Sequence, residues 1–113
     1  MLAVEFEILV KDGLALVSRV KQEIRFIRSC NYTQASLDIL HTASFNLDSV
    51  EDLLNYANEL ALKNNDVAGE KVLIASHAIK KVQSMLSRQF DAELDCESQP
   101  WFENVAANIG ICA

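Results

Sequence analysis

Apolar residues near the start of the chain return every three or four positions. Leu2, Phe6, Leu9, Val10, Leu16, Val17, Val20, Ile24 and Ile27 keep one phase on a helical wheel, which predicts one long amphipathic helix over residues 2–27. Glu5 and Glu7 in its early turns and Arg25 and Arg28 in its last fit the helix dipole. Val4, Phe6, Ile8 and Val10 also alternate like a short strand, but the helical period covers more residues and is preferred. Gly13 falls on the apolar stripe, as a soft point or a close-packing contact. Asn31 with Gln34, or Thr33, can cap a second helix carrying Leu37, Leu40 and Ser44. The next apolar series, Val50, Leu53, Leu54, Ala57, Leu60 and Ala61, is rotated relative to it, and Asp48 with Glu51 reads as a new capping box. These features predict a break around Ser44 to Leu47. After Asn64 and Asn65, Asp66 can cap another long helix with core positions Ala68, Val72, Ala75, Ile79, Val82, Leu86 and Phe90. Beyond Pro100, the residues Trp101, Phe102, Val105, Ala106 and Ile109 resume helical spacing, with Gly110 as C-terminal cap.

The predicted fold class is therefore all-α. Short connections between long helices favour antiparallel neighbours, giving an up-and-down four-helix bundle over residues 1–97. Residues 98–113 then form a short C-terminal amphipathic helix docked on it. Three glycines and one proline in 113 residues leave too few turn signals for a sandwich or barrel of many strands. The length suits one domain. Half the residues are apolar and 23% charged, a balance that supports a packed core.

Charge narrows the partners. A net charge of −6 disfavours nucleic acid, whose phosphates call for clustered Lys and Arg. The apolar opening is interrupted by Glu5 and Glu7 and preceded by no basic residues, so neither a signal peptide nor a membrane span is expected. A cytoplasmic location follows as an expectation. Cys30, Cys96 and Cys112 match neither a disulfide framework nor a close-spaced zinc site, and are expected to be reduced thiols. Lys21, Arg25 and Arg28 share one side of the first helix, where Asp38, Glu51 and Asp52 can pair with them. The acidic run of Asp91, Glu93, Asp95 and Glu97 reads as a solvated helix end or linker.

No arrangement of nucleophile, base and orienting group emerges, phosphate-binding glycine loops are lacking, and no cofactor or metal is expected. His77 lies opposite the core stripe of its helix, near Lys80 and Lys81. His41 is the one residue with candidate chemistry: at the margin of an apolar stripe an imidazole can accept a phosphoryl group or carry a proton. Around it the order of a long helix, a helix bearing the histidine, a break and a two-helix hairpin resembles histidine phosphotransfer domains. The matching stretches are Leu37 to Thr42, Asn46-Leu47, and Leu60 to Leu86, within a likeness that extends to Phe90. The family's x-Leu-Lys-Gly after the histidine is replaced by Thr42, Ala43, Ser44 and Phe45. The missing lysine removes a cation beside the phosphoryl group, and Phe45 fills the space through which a receiver domain would approach. The resemblance implies phosphotransfer at His41, or a relative that keeps the scaffold and has lost that chemistry.

Leftover apolar residues point elsewhere. Ile8, Ala15 and Phe26 on the first helix, and Leu73 and Ile74 on the hairpin, fall outside the core stripes, and such flanks commonly meet another protein or a second copy. Trp101 and Phe102 can anchor the last helix in a groove of this chain or of another. The expected function is a non-enzymatic adaptor or regulator acting through protein contacts or self-association. Phosphotransfer at His41 is the alternative, and an acidic inhibitor or immunity-type protein a further one.

Overall fold

The computed structural model describes residues 3–30, 33–92 and 98–109. Leu2, Asn31, the carboxylates Glu93, Asp95 and Glu97, Cys96, Gly110 and Cys112 lie outside it. Among these residues four helices follow in order: α1 (Ala3–Ser29), α2 (Gln34–Leu62), α3 (Ala68–Phe90) and α4 (Gln99–Asn108). Among the described residues there is no strand, and Val4 to Val10 are helical. No described helix is long and apolar enough to cross a membrane.

The expected break at residues 44–47 is absent. α2 runs unbroken, so the predicted second and third helices are one rod, and the long helices number three instead of four. The reason lies in which residues form its buried stripe. Leu40, Ala43, Leu47, Val50, Leu54 and Ala57 are all buried and alternate in steps of three and four, a single heptad seam with no change of phase. Leu37 and Ser44, which suggest a different face, are only half-buried. Asp48 and Glu51 do not cap a helix; both pair with Lys21 of α1, at 2.5 and 3.0 Å. Asp38 instead accepts from Gln34 Nε2 within its own helix.

Helix ends show familiar devices in altered places. Thr33 caps α2, its side chain accepting from the Ser36 N–H at 3.2 Å. α3 begins after Val67 without a side-chain cap; the Asn65 amide oxygen, and not Asp66, accepts the Val67 N–H. Asn64 and Asp91, just past the ends of α2 and α3, adopt left-handed backbone with φ of 55° and 53°. Pro100 occupies the first turn of α4, where its missing N–H costs no helical bond.

α2 lies at the centre and packs along both α1 and α3. Gly13 faces Leu54, and Lys21 faces Asp48 and Glu51, so α1 and α2 are antiparallel. α4 fills the cleft between α1 and α3, with Phe102 beside Lys80 and Ile109 against Gly69, antiparallel to α3. The core runs the length of the molecule, from Phe6 and Leu9 beside Leu60 and Val72 to Ile27, Leu40 and Leu86. Among the described residues the stripes expected on α1, from Phe6 to Ile27, and on α3 are buried, apart from Phe90, which is only partly covered.

Candidate interaction surfaces

Trp101 and Phe102 lie inside the fold. Both are buried, at 7% and 6% exposure, where α4 closes over α1 and α3. The Trp101 indole N–H donates to the Leu9 carbonyl at 2.8 Å, its ring meets Phe102 edge-on at 5.3 Å, and Lys80 Nζ sits 5.0 Å above the Phe102 ring. Their apolar area goes into holding the short helix in place.

The other four expected surface residues do not share a face. Ile8 and Phe26, at 53% and 70% exposure, stand on the outer side of α1 about five turns and ~27 Å apart. Leu73 is half-buried on the α3 flank that carries Gly69 and Lys80, the side α4 covers. Ile74 follows it in sequence but points to the opposite flank, where it is 47% exposed. There it lines an open groove of about 760 Å³ between α2 and α3.

The α2 wall of this groove is formed by Ile39, Thr42, Asn46, Ser49 and Leu53, and the α3 wall by Ile74, Ala78, Lys81 and Met85. Ala43, Val50 and Val82, all buried, make its floor, and Asp38 stands at one end. Of these residues the sequence pattern singles out Ile74 as apolar surface, and reads Val50, Leu53 and Val82 as core. The missed signal is a second heptad series on each helix, one residue to the side of the core seam. Against the back of the α3 wall lies a shallow trough of about 630 Å³ lined by His77, Ala78, Lys80, Lys81, Ser84 and Arg88. The two depressions share Ala78 and Lys81.

His41 is exposed on α2, outside the groove, with Phe45 65% exposed one turn later. Thr42, its neighbour, belongs to the groove wall, and Ala43 to the core. Ser44, standing where the family's lysine would, is half-buried. His77 is exposed in the basic trough, and Cys30 is an exposed free thiol. No group of three or more His, Cys, Asp or Glu side chains that could hold a metal occurs among the described residues.

The basic residues expected on one side of α1 divide. Lys21 bridges to α2, and the hydrogen bond to Asp48, followed by that to Glu51, holds its ammonium above the ordinary lysine value of 10.5 against the opposing effect of burial. This triad ties the two helices. No family model, curated protein or solved structure matches the chain.

Proposed function

We propose that the chain is a non-enzymatic helical-bundle adaptor or regulator that works through protein–protein contacts. The observation that carries this reading is the open α2–α3 groove, apolar along its floor, with Ile74 half-exposed on its lip. Exposed apolar concavities of this size are where helices of other proteins commonly seat. In this reading the three long helices run up, down and up as a rigid cytoplasmic scaffold, with α4 as a short fourth member of the bundle. The partner is a protein or a second copy of the chain, and neither nucleic acid nor membrane. The test is affinity capture from host lysate with wild-type chain and Ile74→Asp, alongside sedimentation. Retention of a protein, or self-association, that Ile74→Asp removes is the expected result. A monomer at all concentrations that retains no protein overturns the reading.

Exposure of His41 on α2 favours a second reading, phosphotransfer or a silent relative of it. Incubation with acetyl phosphate should then leave an acid-labile phosphate that His41→Gln lacks. Without such a label, phosphotransfer is excluded and only the silent scaffold survives.

A further inference from the structure

Charge is distributed unevenly over the two helices that form the groove. From Gln34 to Leu62 α2 contains no Lys or Arg, whereas α3 carries one acidic residue, Glu70 in its first turn, and none from Lys71 to Phe90. In a chain of net charge −6, the later turns of α3 therefore present Lys80, Lys81 and Arg88 as a cationic face, with the polar His77 and Ser84 beside them. No described carboxylate pairs with Lys81 or Arg88. Lys81 stands at the junction, in the groove wall and in the basic trough at once.

We propose that the groove between α2 and α3 receives an amphipathic helix of a protein partner whose flank against α3 is acidic. The proposal rests on the interaction reading above and names the partner's chemistry. Spacing supports a helix as occupant. The α2 wall advances by three and four residues from Ile39 to Leu53, and the α3 wall by four, three and four from Ile74 to Met85, as in a coiled-coil seam. The α2 wall spans ~21 Å, room for about four turns anchored by apolar residues at i, i+3 or i+4, i+7 and i+11. The polarity of the walls supplies the flank. Lys81, with Arg88 behind it, attracts carboxylates, while Thr42, Asn46 and Ser49 opposite are neutral hydrogen-bonding groups.

A second copy docked groove to groove fits less well, because the one carboxylate lining its own groove is Asp38, and Asp48 and Glu51 are engaged with Lys21 on the other side of α2. Nucleic acid would set phosphates over an apolar floor beside a helix that bears only acidic charge.

The experiment uses two fluorescein-labelled synthetic peptides of about 18 residues, identical in their Leu and Ile heptad positions, one flanked by Glu and the other by Lys. Each is titrated with the full-length chain by anisotropy, and the contact is mapped by amide chemical shifts. The Glu peptide should bind about tenfold tighter at low ionic strength, the size expected from a few partly exposed charge pairs. That ratio should approach unity in about 0.5 M salt. Lys81→Glu should erase the preference, and Ile74→Asp should weaken both peptides; both residues are solvent-exposed, so neither change disturbs the core. Equal affinities, absence of binding, or shifts confined to the Ile8 and Phe26 side of α1 overturn the proposal. So does a DNA duplex that competes as well as the Glu peptide, or groove shifts that appear with chain concentration alone and mark a second copy. A chain that captures an Ile74-dependent partner yet shows no preference between the peptides defeats this inference and leaves the interaction reading intact. Failure of both experiments defeats the two together.

Discussion

Gly13 shows how a single position can be read one way from helix propensity and another from packing. Alanine is favoured over glycine in a helix interior by about 1 kcal/mol, so Gly13→Ala on α1 should stabilise an isolated helix. In the folded chain a β-carbon there would lie 2.6 Å from Trp101 Cζ2 and 3.2 Å from Leu54 Cδ1. The indole is rigid and fixed by its bond to the Leu9 carbonyl, so it cannot yield as a flexible side chain would. Overpacking of this kind costs about 1–3 kcal/mol, which outweighs the propensity gain. Gly13→Ala is therefore expected to lose about 1 kcal/mol in urea denaturation and to shift emission of the sole tryptophan to the red. A gain in stability would show that Trp101 does not pack closely here. The position of Gly13 on the core stripe is legible in the sequence; its partner is not, because Trp101 arrives from the far end of the chain. Lys21 yields a prediction of a different kind. Its native pKa is raised, so its contribution is fully present below the unfolded value of 10.5 and disappears as pH climbs through the higher native value. Asp48 and Glu51 are well exposed, which limits that contribution to about 1 kcal/mol or less. The stability difference between wild type and Lys21→Met should stay constant from pH 7 to about 10 and shrink above it. A difference that persists unchanged to still higher pH would assign Lys21 a purely packing role.

α1 and α3 could be traced from periodicity because large side chains mark their seams: Phe6, Leu9, Leu16 and Ile24 on one, Val72, Ile79 and Leu86 on the other. α2 misleads because its seam passes through small Ala43 and Ala57, while half-buried Leu37 and Leu53 flank the seam and draw the eye off phase. A polar pair with capping spacing, Asp48 and Glu51, then mimics a helix start, although its role is to reach Lys21 on the neighbouring helix. Continuity of α2 can be checked by placing proline where a turn would accept it. Asn46 is exposed at mid-helix, so Asn46→Pro removes no buried side chain and acts through the backbone. In a continuous helix it forfeits a hydrogen bond and clashes with the preceding turn, at about 3 kcal/mol or more. Thermal melting should show a large fall in Tm for Asn46→Pro. Little change would mean that a break between residues 44 and 47 exists in solution. The same continuity aligns Ile39, Asn46 and Leu53 into one straight groove wall, a site that a kinked α2 would not possess.

The groove is a property of two helices together, which is why residue patterns mark Ile74 as surface, read Leu53, Val50 and Val82 as core, and group Leu73 with Ile74. Helix pairing sends those neighbours to opposite flanks of α3, one under α4 and one into the groove. The whole molecule is a rod of 47 × 23 × 22 Å, its length set by α2, with a radius of gyration of 14.7 Å against about 13 Å for a rounder domain of this size. In such a rod the two ends are far apart, and α4 covers the cleft from Leu9, Gly13 and Gly69 as far as Lys80. Whether that end melts separately follows from what α4 touches. Trp101 packs over Gly13 of α1, the same glycine that Leu54 of α2 faces, while Phe102 and Ile109 rest on α3. Trp101 and Phe102 belong to the one buried cluster that α1, α2 and α3 share, so undocking α4 would open that core. A fragment that exposes the common core has no cheap intermediate state, and unfolding should be a single cooperative event. Tryptophan fluorescence, which reports on α4, and far-UV circular dichroism, dominated by α1 to α3, are expected to give coincident urea transitions with one midpoint. A fluorescence midpoint at lower urea would identify α4 as a detachable cap, and the cleft it vacates, lined by Leu9 and Gly13, would become a second groove open to a helix.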